Sequence, residues 1–459
     1  MLECACSGLV ATQGSLTMTT SANIPRVSGD AALGNSTIRK LKIRLLPWLF
    51  LLFVVAYIDR INVGFAALTL NRELGISSSQ FGAAAGIFFF GYFLFEVPSN
   101  LLLHQIGARI WMARILLTWG IVAMATGLVS SLHQLYAMRF LLGVAEAGYL
   151  PGIILYLTYW FPRRERSQAL ALFIAAIPVA SLVGAPISGA ILDRVHWLGA
   201  SSWRWLLILE GLPAIVCGLL TYFVLPSWPS EAKFLSPEER EWLRADLAGE
   251  EQQKLERHSY SVLQAMVNGR VWYLIAINFG MMIGLYTLLF WTPQLLKSFS
   301  GLYSNSTVGL LVMVPHLAGL VAMILVARSS DRRLERRCHA GIPALAAGAA
   351  LLLLGKFHSP VLVVALLSLL AAGVYSFLSP FWAIPGEFLA GFAAAAGIGL
   401  MNSVANLGGF VGPYVVGIMS GWTGGIYPGL ALAGTPLLVS GTLLLLLPGE
   451  ARPNRVVAA

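Results

Sequence analysis

The 459-residue chain is 57% hydrophobic and 11% charged, where a soluble domain carries about 25% charged residues. Apolar stretches of about 20 residues, each long enough to cross a bilayer as helix, recur from near Leu45 to near Leu447. They are continuous, not alternating as in a membrane β-barrel, so the sequence predicts an all-α polytopic membrane protein with the lipid bilayer as its surroundings and excludes a soluble enzyme.

Residues 1–40 come first and read as a disordered cytoplasmic tail: 11–40 are polar and rich in Gly, Ser and Thr, with no secretory signal. Either Met1 or Met18 fits as the first residue. Cys4 and Cys6 lie in this tail without a nearby third ligand, and Cys217 and Cys338 show no paired spacing, so no metal or disulfide is predicted.

Twelve spans follow, at about 45–65, 80–103, 110–129, 134–160, 168–192, 205–225, 270–292, 307–327, 341–356, 361–385, 393–418 and 428–448. The formal net charge of +9 is topological and names no nucleic-acid partner. Its Lys and Arg gather in alternate connections: Arg39, Lys40, Lys42 and Arg44; Arg109 and Arg114; Arg163, Arg164 and Arg166; Arg328, Arg332, Arg333, Arg336 and Arg337. The positive-inside rule therefore puts both termini in the cytoplasm. The predicted division is a six-span bundle at 41–225, a cytoplasmic linker at 226–269, a second bundle at 270–448 and a tail at 449–459. Within the linker, Ser236, Pro237 and Glu239 form a helix-start signature ahead of an amphipathic segment.

The halves repeat one another weakly. "VGAPISGAIL" of span 5 matches "VGPYVVGIM" of span 11, and "YWFP" at the end of span 4 matches "FWAIP" at the end of span 10. Internal repeats with Gly- and Pro-rich helices in matching places are a signature of secondary transporters.

Charge inside a membrane costs about 2.5–3.5 kcal/mol per residue on insertion scales, so such residues mark polar paths. Asp59 and Arg60 stand side by side in span 1, about 100° apart around the helix, and look for partners on other helices. Arg139 and Glu146 of span 4 share a face, Glu146 lying deeper, with Gly143, Gly148 and Gly152 permitting close packing. Glu96 of span 2 is expected to reach basic loop residues near the cytoplasmic end and to serve gating, and Glu210 of span 6 to pair with Arg204. His104, His316 and His358 are expected to be packing residues. Asn402 and Asn406, an i, i+4 pair on span 11, join Tyr92, Tyr286 and Trp382, with Ser376 and Ser379, as candidate lining of a polar, aromatic-trimmed cavity.

"YIDRINVGFAAL", "GYFLFEVPSNLLLHQIGARIW", "RFLLGVAEAGYLPGIILYLTYWFP", "WRWLLILEGLPA" and "SDRRLERR" together resemble the major facilitator superfamily, and within it the anion:cation symporter family of bacterial permeases for tartrate, 4-hydroxyphenylacetate, phthalate, hexuronates and galactonate. The resemblance covers about residues 40–448. It implies the major facilitator fold, two pseudo-symmetric six-helix bundles rocking in alternating access, and proton-driven uptake of an organic anion. It also implies protonation sites at Asp59 and Glu146, and arginines at Arg60 and Arg139 that bind the anion or balance charge. The superfamily's gating motif is degraded in the first half, "NLLLHQIGAR", with His104 where Asp is usual and Arg109 beyond it; Asp331 and Arg332 keep the acidic form in the second half.

The function expected is proton-coupled symport of a small carboxylate (sugar acid, hydroxy-dicarboxylate or aromatic acid) by a monomer in the bacterial inner membrane. No cofactor is expected beyond the coupling ion; sodium stays open as an alternative to the proton. An exchanger or drug exporter of the same superfamily is the competing mechanism, and a non-transporting nutrient sensor the competing class. No nucleophile–base or metal-ligand constellation supports an enzyme.

Overall fold

The computed structural model describes residues 28–256, 262–299, 303–357, 359–385 and 391–447, and every element among them is helical. Cys4, Cys6, Met18, His358 and the 449–459 tail lie outside the described residues. Among the described residues, twelve helices are long and apolar enough to cross a membrane: span 1 (Ala32–Glu73), span 2 (Ser78–Leu103), span 3 (Ala108–Thr126), span 4 (Leu132–Trp160), span 5 (Leu172–Arg194), span 6 (Ser202–Val224), span 7 (Gly269–Ser298), span 8 (Asn305–Arg333), span 9 (Arg337–Leu354), span 10 (Pro360–Ala383), span 11 (Ala396–Thr423) and span 12 (Tyr427–Leu446).

The packing has a two-fold logic. Span 3 lies on span 6 as span 9 lies on span 12; span 2 on span 4 as span 8 on span 10; span 1 on span 5 as span 7 on span 11. Between the halves, span 2 meets span 11 as span 8 meets span 5, and span 1 meets span 7. Each pairing in the first bundle thus recurs six spans later, which is the geometry of two pseudo-symmetric six-helix bundles.

We call the face where span 1 begins proximal and the opposite face distal. Distally the halves are closed. Asp193 at the end of span 5 accepts from the backbone N–H groups of Asn305 (3.0 Å) and Ser306 (2.7 Å) at the start of span 8. Gly82 of span 2 meets the backbone of Pro413 in span 11, and Gly309 of span 8 meets that of Ala185 in span 5; a Cβ at either glycine would collide with it.

Two features depart from the sequence reading. The first helix starts at Ser28, so residues 28–40 are helical and not a disordered tail. Its 46 residues rise about 69 Å, more than twice the ~30 Å of a hydrocarbon core. The extra length holds because Ile38, Leu41 and Leu45 form a buried stripe at helical spacing, while Gly34 lets Trp242 of the linker helix lie against the backbone. That linker helix runs Pro237–Glu256, with Glu239 N–H donating to Ser236 Oγ (3.2 Å) and Ser236 N–H to Glu239 Oε2 (2.9 Å). Lys40 clamps Glu239 from the first helix (2.8 Å). Burial acts to raise the Glu239 pKa, but Lys40, Ser236 and Ser36 outweigh it and hold the carboxyl below its usual range.

The second departure is that span 4 is broken. Its first piece ends at Glu146, Ala147 turns extended (ψ 135°), Gly148 adopts the left-handed region (φ 81°), and a second helix runs Tyr149–Trp160. Gly148 is required twice over, because Ser99 occupies the space a side chain would need. Span 11 is interrupted only slightly at Leu407, between Asn406 and Gly408, where the backbone keeps helical angles (φ −62°, ψ −20°). The break in span 4 adjoins Glu146 at membrane depth, where irregular backbone is tolerated only inside protein or against a cavity.

Candidate substrate and proton site

Four charged side chains of the first half are buried together: Asp59 (2% exposed), Arg60 (9%), Arg139 (2%) and Glu146 (2%). Adjacent positions on span 1 send Asp59 and Arg60 to different neighbours, as the 100° step requires. Asp59 accepts from Trp119 Nε1 of span 3 (2.6 Å) and from Asn62 Nδ2 one turn along its own helix (3.0 Å). Arg60 forms an ion pair with Glu146 through Nη2 and donates from Nη1 to the Tyr286 hydroxyl of span 7 (3.2 Å). Three rings surround its guanidinium, those of Tyr57, Phe88 and Tyr92, with centroids 5.0, 5.2 and 5.6 Å away. Such contacts hold a desolvated cation without neutralising it.

Arg60 therefore bridges the halves. Tyr286 passes the contact on to Asn406 Oδ1 of span 11 (3.4 Å), and its ring packs edge-on against Phe89 (4.3 Å). Arg139 is differently placed from expectation: it does not balance Glu146, which the end of the broken helix delivers to Arg60. Its guanidinium also lies over the shared Phe88 ring (5.3 Å) and within electrostatic range of Asp59, while its Nε and Nη2 have no hydrogen-bond partner among the described residues. A buried arginine with open N–H groups is equipped to accept a carboxylate.

The other expected residues divide. Tyr92, Tyr286 and Asn406 belong to the Arg60 cluster. Asn402 shares the Asn406 helix face but donates to Glu96 Oε1 (2.9 Å), and Ser403 Oγ donates to Glu96 Oε2 (2.6 Å). Glu96 thus reaches across to span 11 and not to basic loop residues, because its buried face is the one turned to the second half. Glu96→Ala removes both inter-half hydrogen bonds; with about 1.4 kcal/mol lost from the seam, hydrogen exchange over residues 400–406 should quicken on the order of tenfold. Unchanged exchange there would show that Glu96 does not hold the seam.

Trp382 packs against its neighbour Phe381, and among the described residues no hydrogen bond or ring contact joins it to the cluster. At the proximal face, Arg109 holds the start of the linker through the Leu225 carbonyl (2.9 Å) and Glu231 (2.5 Å). Asp331 pairs with Arg336 (2.5 Å) while Arg332 is exposed. The side chain of His104 lies outside the described residues. Glu210 does not pair with Arg204. Six residues of helix set it about 9 Å deeper, and Arg204 is taken by Glu73 (3.3 Å) and the carbonyls of Gly127 (3.1 Å) and Val129 (2.7 Å).

Trp119, Tyr57 and Phe88 were not singled out in the sequence, where they look like any apolar residue of a span. Asn62 carried a usable signal, an amide three positions from Asp59.

Known proteins share this architecture and sequence. The profile of the Major Facilitator Superfamily matches residues 49–413. An Agrobacterium vitis protein named "Putative tartrate transporter" is 44% identical over 425 residues, 93% of this chain and 98% of that protein. The "Quinolone resistance transporter" of Acinetobacter baumannii is 39% identical over 393 residues, 86% of this chain and 90% of that one. Among solved structures, the xylose transporter XylE from E. coli in a partially occluded inward-open conformation superposes with a TM-score of 0.71 at 15% identity, covering 90% and 99% of the two chains, a likeness of fold alone. The chain is a multi-pass membrane transporter that belongs to the Major Facilitator Superfamily.

Proposed function

We propose that the protein imports a small organic carboxylate together with protons across the bacterial cytoplasmic membrane, and that a hydroxy-dicarboxylate such as L-tartrate is the substrate class to try first. The observation that carries this reading is the Arg60–Glu146 ion pair at the junction of the halves. A carboxylate of the protein occupies the guanidinium fork that a substrate carboxylate would need. Protonating Glu146 removes its charge and frees the fork; substrate then enters, and Arg139 offers two further N–H groups to a second acidic or hydroxyl group. Proton and substrate therefore bias one rocking equilibrium, which is what coupling requires.

Alternating access follows from the seams. The distal contacts of spans 2 and 11 and of spans 5 and 8 must part for the opposite face to open, and Arg60–Tyr286–Asn406 and Glu96–Asn402 must yield or tighten in step. The basic connections lie on the proximal side, which supports a cytoplasmic proximal face. The A. vitis relative supports an acid substrate; the A. baumannii relative keeps an exporter in view.

Reconstituted vesicles decide between them. An inwardly directed proton gradient should drive accumulation of labelled L-tartrate, and unlabelled L-tartrate inside should drive counterflow without any gradient. Counterflow with no accumulation driven by the gradient would establish an exchanger, and extrusion of a quinolone with no tartrate movement would replace the importer reading by export.

A further inference from the structure

The first half buries four carboxyls, Asp59, Glu96, Glu146 and Glu210, and the arginine cluster does not use the last of them. Glu210 of span 6 is 4% exposed; its Oε1 accepts from Ser188 Oγ of span 5 (2.7 Å), and its Oε2, also buried, has no hydrogen-bond partner among the described residues. Among the described residues no cation forms an ion pair with it. Span 1 presents Asp59 and Asn62 to Glu210, span 5 presents Ser188, and span 3 presents Ala123 and Met124 to the adjoining Gly211, so Asp59 is the titratable group that faces it. Asn62, which donates to Asp59 Oδ1 (3.0 Å), lies between the two carboxyls.

The charges do not balance if all are ionised. Asp59, Glu96, Glu146 and Glu210 are four buried carboxyls against two buried guanidiniums, Arg60 and Arg139. A net negative charge sealed in apolar surroundings is the costliest arrangement, and proton binding at the carboxyl with the poorest partners relieves it first. Glu146 has Arg60 as its partner. Asp59 has two N–H donors and the Arg139 charge. Glu210 has only neutral neighbours to offset its charge, the Ser188 hydroxyl and the Asn62 amide. Glu96 lies within electrostatic range of Arg60 and has both oxygens satisfied by Asn402 and Ser403.

We propose that Glu210 is a proton-binding site paired with Asp59, the two carboxyls holding one proton between them. In the state described, the proton is on Glu210 and Asp59 is the carboxylate that faces Arg139. When Arg139 turns its open N–H groups to an incoming carboxylate, its hold on Asp59 weakens. The proton then leaves the Glu210 carboxyl, which becomes a carboxylate, and binds the Asp59 carboxylate, which becomes an acid; no other bond changes. The inference rests on the proton-coupled reading of the chain, and its test is independent of substrate.

Infrared spectra of the full chain in lipid nanodiscs at neutral pH, taken in water and in deuterium oxide, read protonated carboxyls directly. The difference between wild type and Glu210→Gln should contain one deuterium-sensitive acid carbonyl band, isolated in this way from Glu96 and Glu146. Glu210→Asp should restore the band at a shifted frequency, and Asp59→Asn should shift it without removing it; a packing role for Glu210 would produce neither signature. A difference spectrum with a lost carboxylate band and no acid band overturns the proposal. Should the Gln variant not fold, the Asp variant carries the test, since an acid spectrum identical to wild type overturns the proposal equally. Gradient-driven uptake of L-tartrate by wild-type vesicles, measured in parallel, tests the underlying reading: a Glu210 band without such uptake leaves the proton site in place and removes its part in coupling.

Discussion

Glu146→Gln stops accumulation of L-tartrate against its gradient while counterflow of the same acid continues. The amide has the size of the acid and no charge, so it reproduces the protonated state permanently. Arg60 then loses the partner that closes its fork and stays available to substrate, keeping Tyr286 (3.2 Å) and its three aromatic neighbours. Rocking with substrate bound no longer waits for a proton, which is why exchange survives. Nothing is released on the far side, however, so the proton gradient has no grip on the cycle. Each pH unit supplies about 1.4 kcal/mol per proton, a tenfold accumulation per proton carried. The variant should forfeit all of it, the internal and external concentrations ending equal. Asp59→Asn should lose concentrative uptake too if both carboxyls act in each cycle. Accumulation by Glu146→Gln at the wild-type level would reduce Glu146 to a structural partner of Arg60.

Local properties of the sequence were readable and long-range pairings were not. Twelve spans were legible because hydropathy over 20 residues is a local quantity, and Asp59–Arg60 stood out because charge within such a stretch is costly. Which carboxylate Arg60 would take depends on the relative height of two helices, and the residue it takes is 86 positions away. Spacing within span 4 favoured Arg139 with Glu146, since seven residues make nearly two turns, but spacing ranks only candidates on one helix. The break after Glu146 had a signal, Gly148 followed by Pro151, that hydropathy smoothed over. The same smoothing hid the first turns of the first helix: polar composition across 28–40 outweighed the stripe of Ile38, Leu41 and Leu45. Arg204 and Glu210 illustrate the opposite error, nearness along the chain taken for nearness in depth. Trp119 had no signal at all, because only the assembled bundle brings its indole N–H from span 3 within reach of Asp59.

Arg60→Lys should weaken L-tartrate binding on the order of 10- to 100-fold while the protein still reaches the membrane. The charge is kept, so the protein loses geometry alone. Arg60 uses Nη1 for Tyr286 in the second half and Nη2 for Glu146 in the first, a division that a planar fork permits and a single ammonium on a flexible stem does not. One charge-assisted hydrogen bond is worth about 1.5–3 kcal/mol, and 1.4 kcal/mol is tenfold in affinity, which sets the expected range. Arg139→Lys should be milder. In the state described, Arg139 acts on Asp59 through its charge and rests on the Phe88 ring, and an ammonium preserves both. Tryptophan fluorescence or calorimetric titration of the two purified variants with L-tartrate gives the comparison directly. If Arg60→Lys binds as wild type does and Arg139→Lys fails, the anion clamp belongs to the two open N–H groups of Arg139, and Arg60 serves only to join the halves through Tyr286.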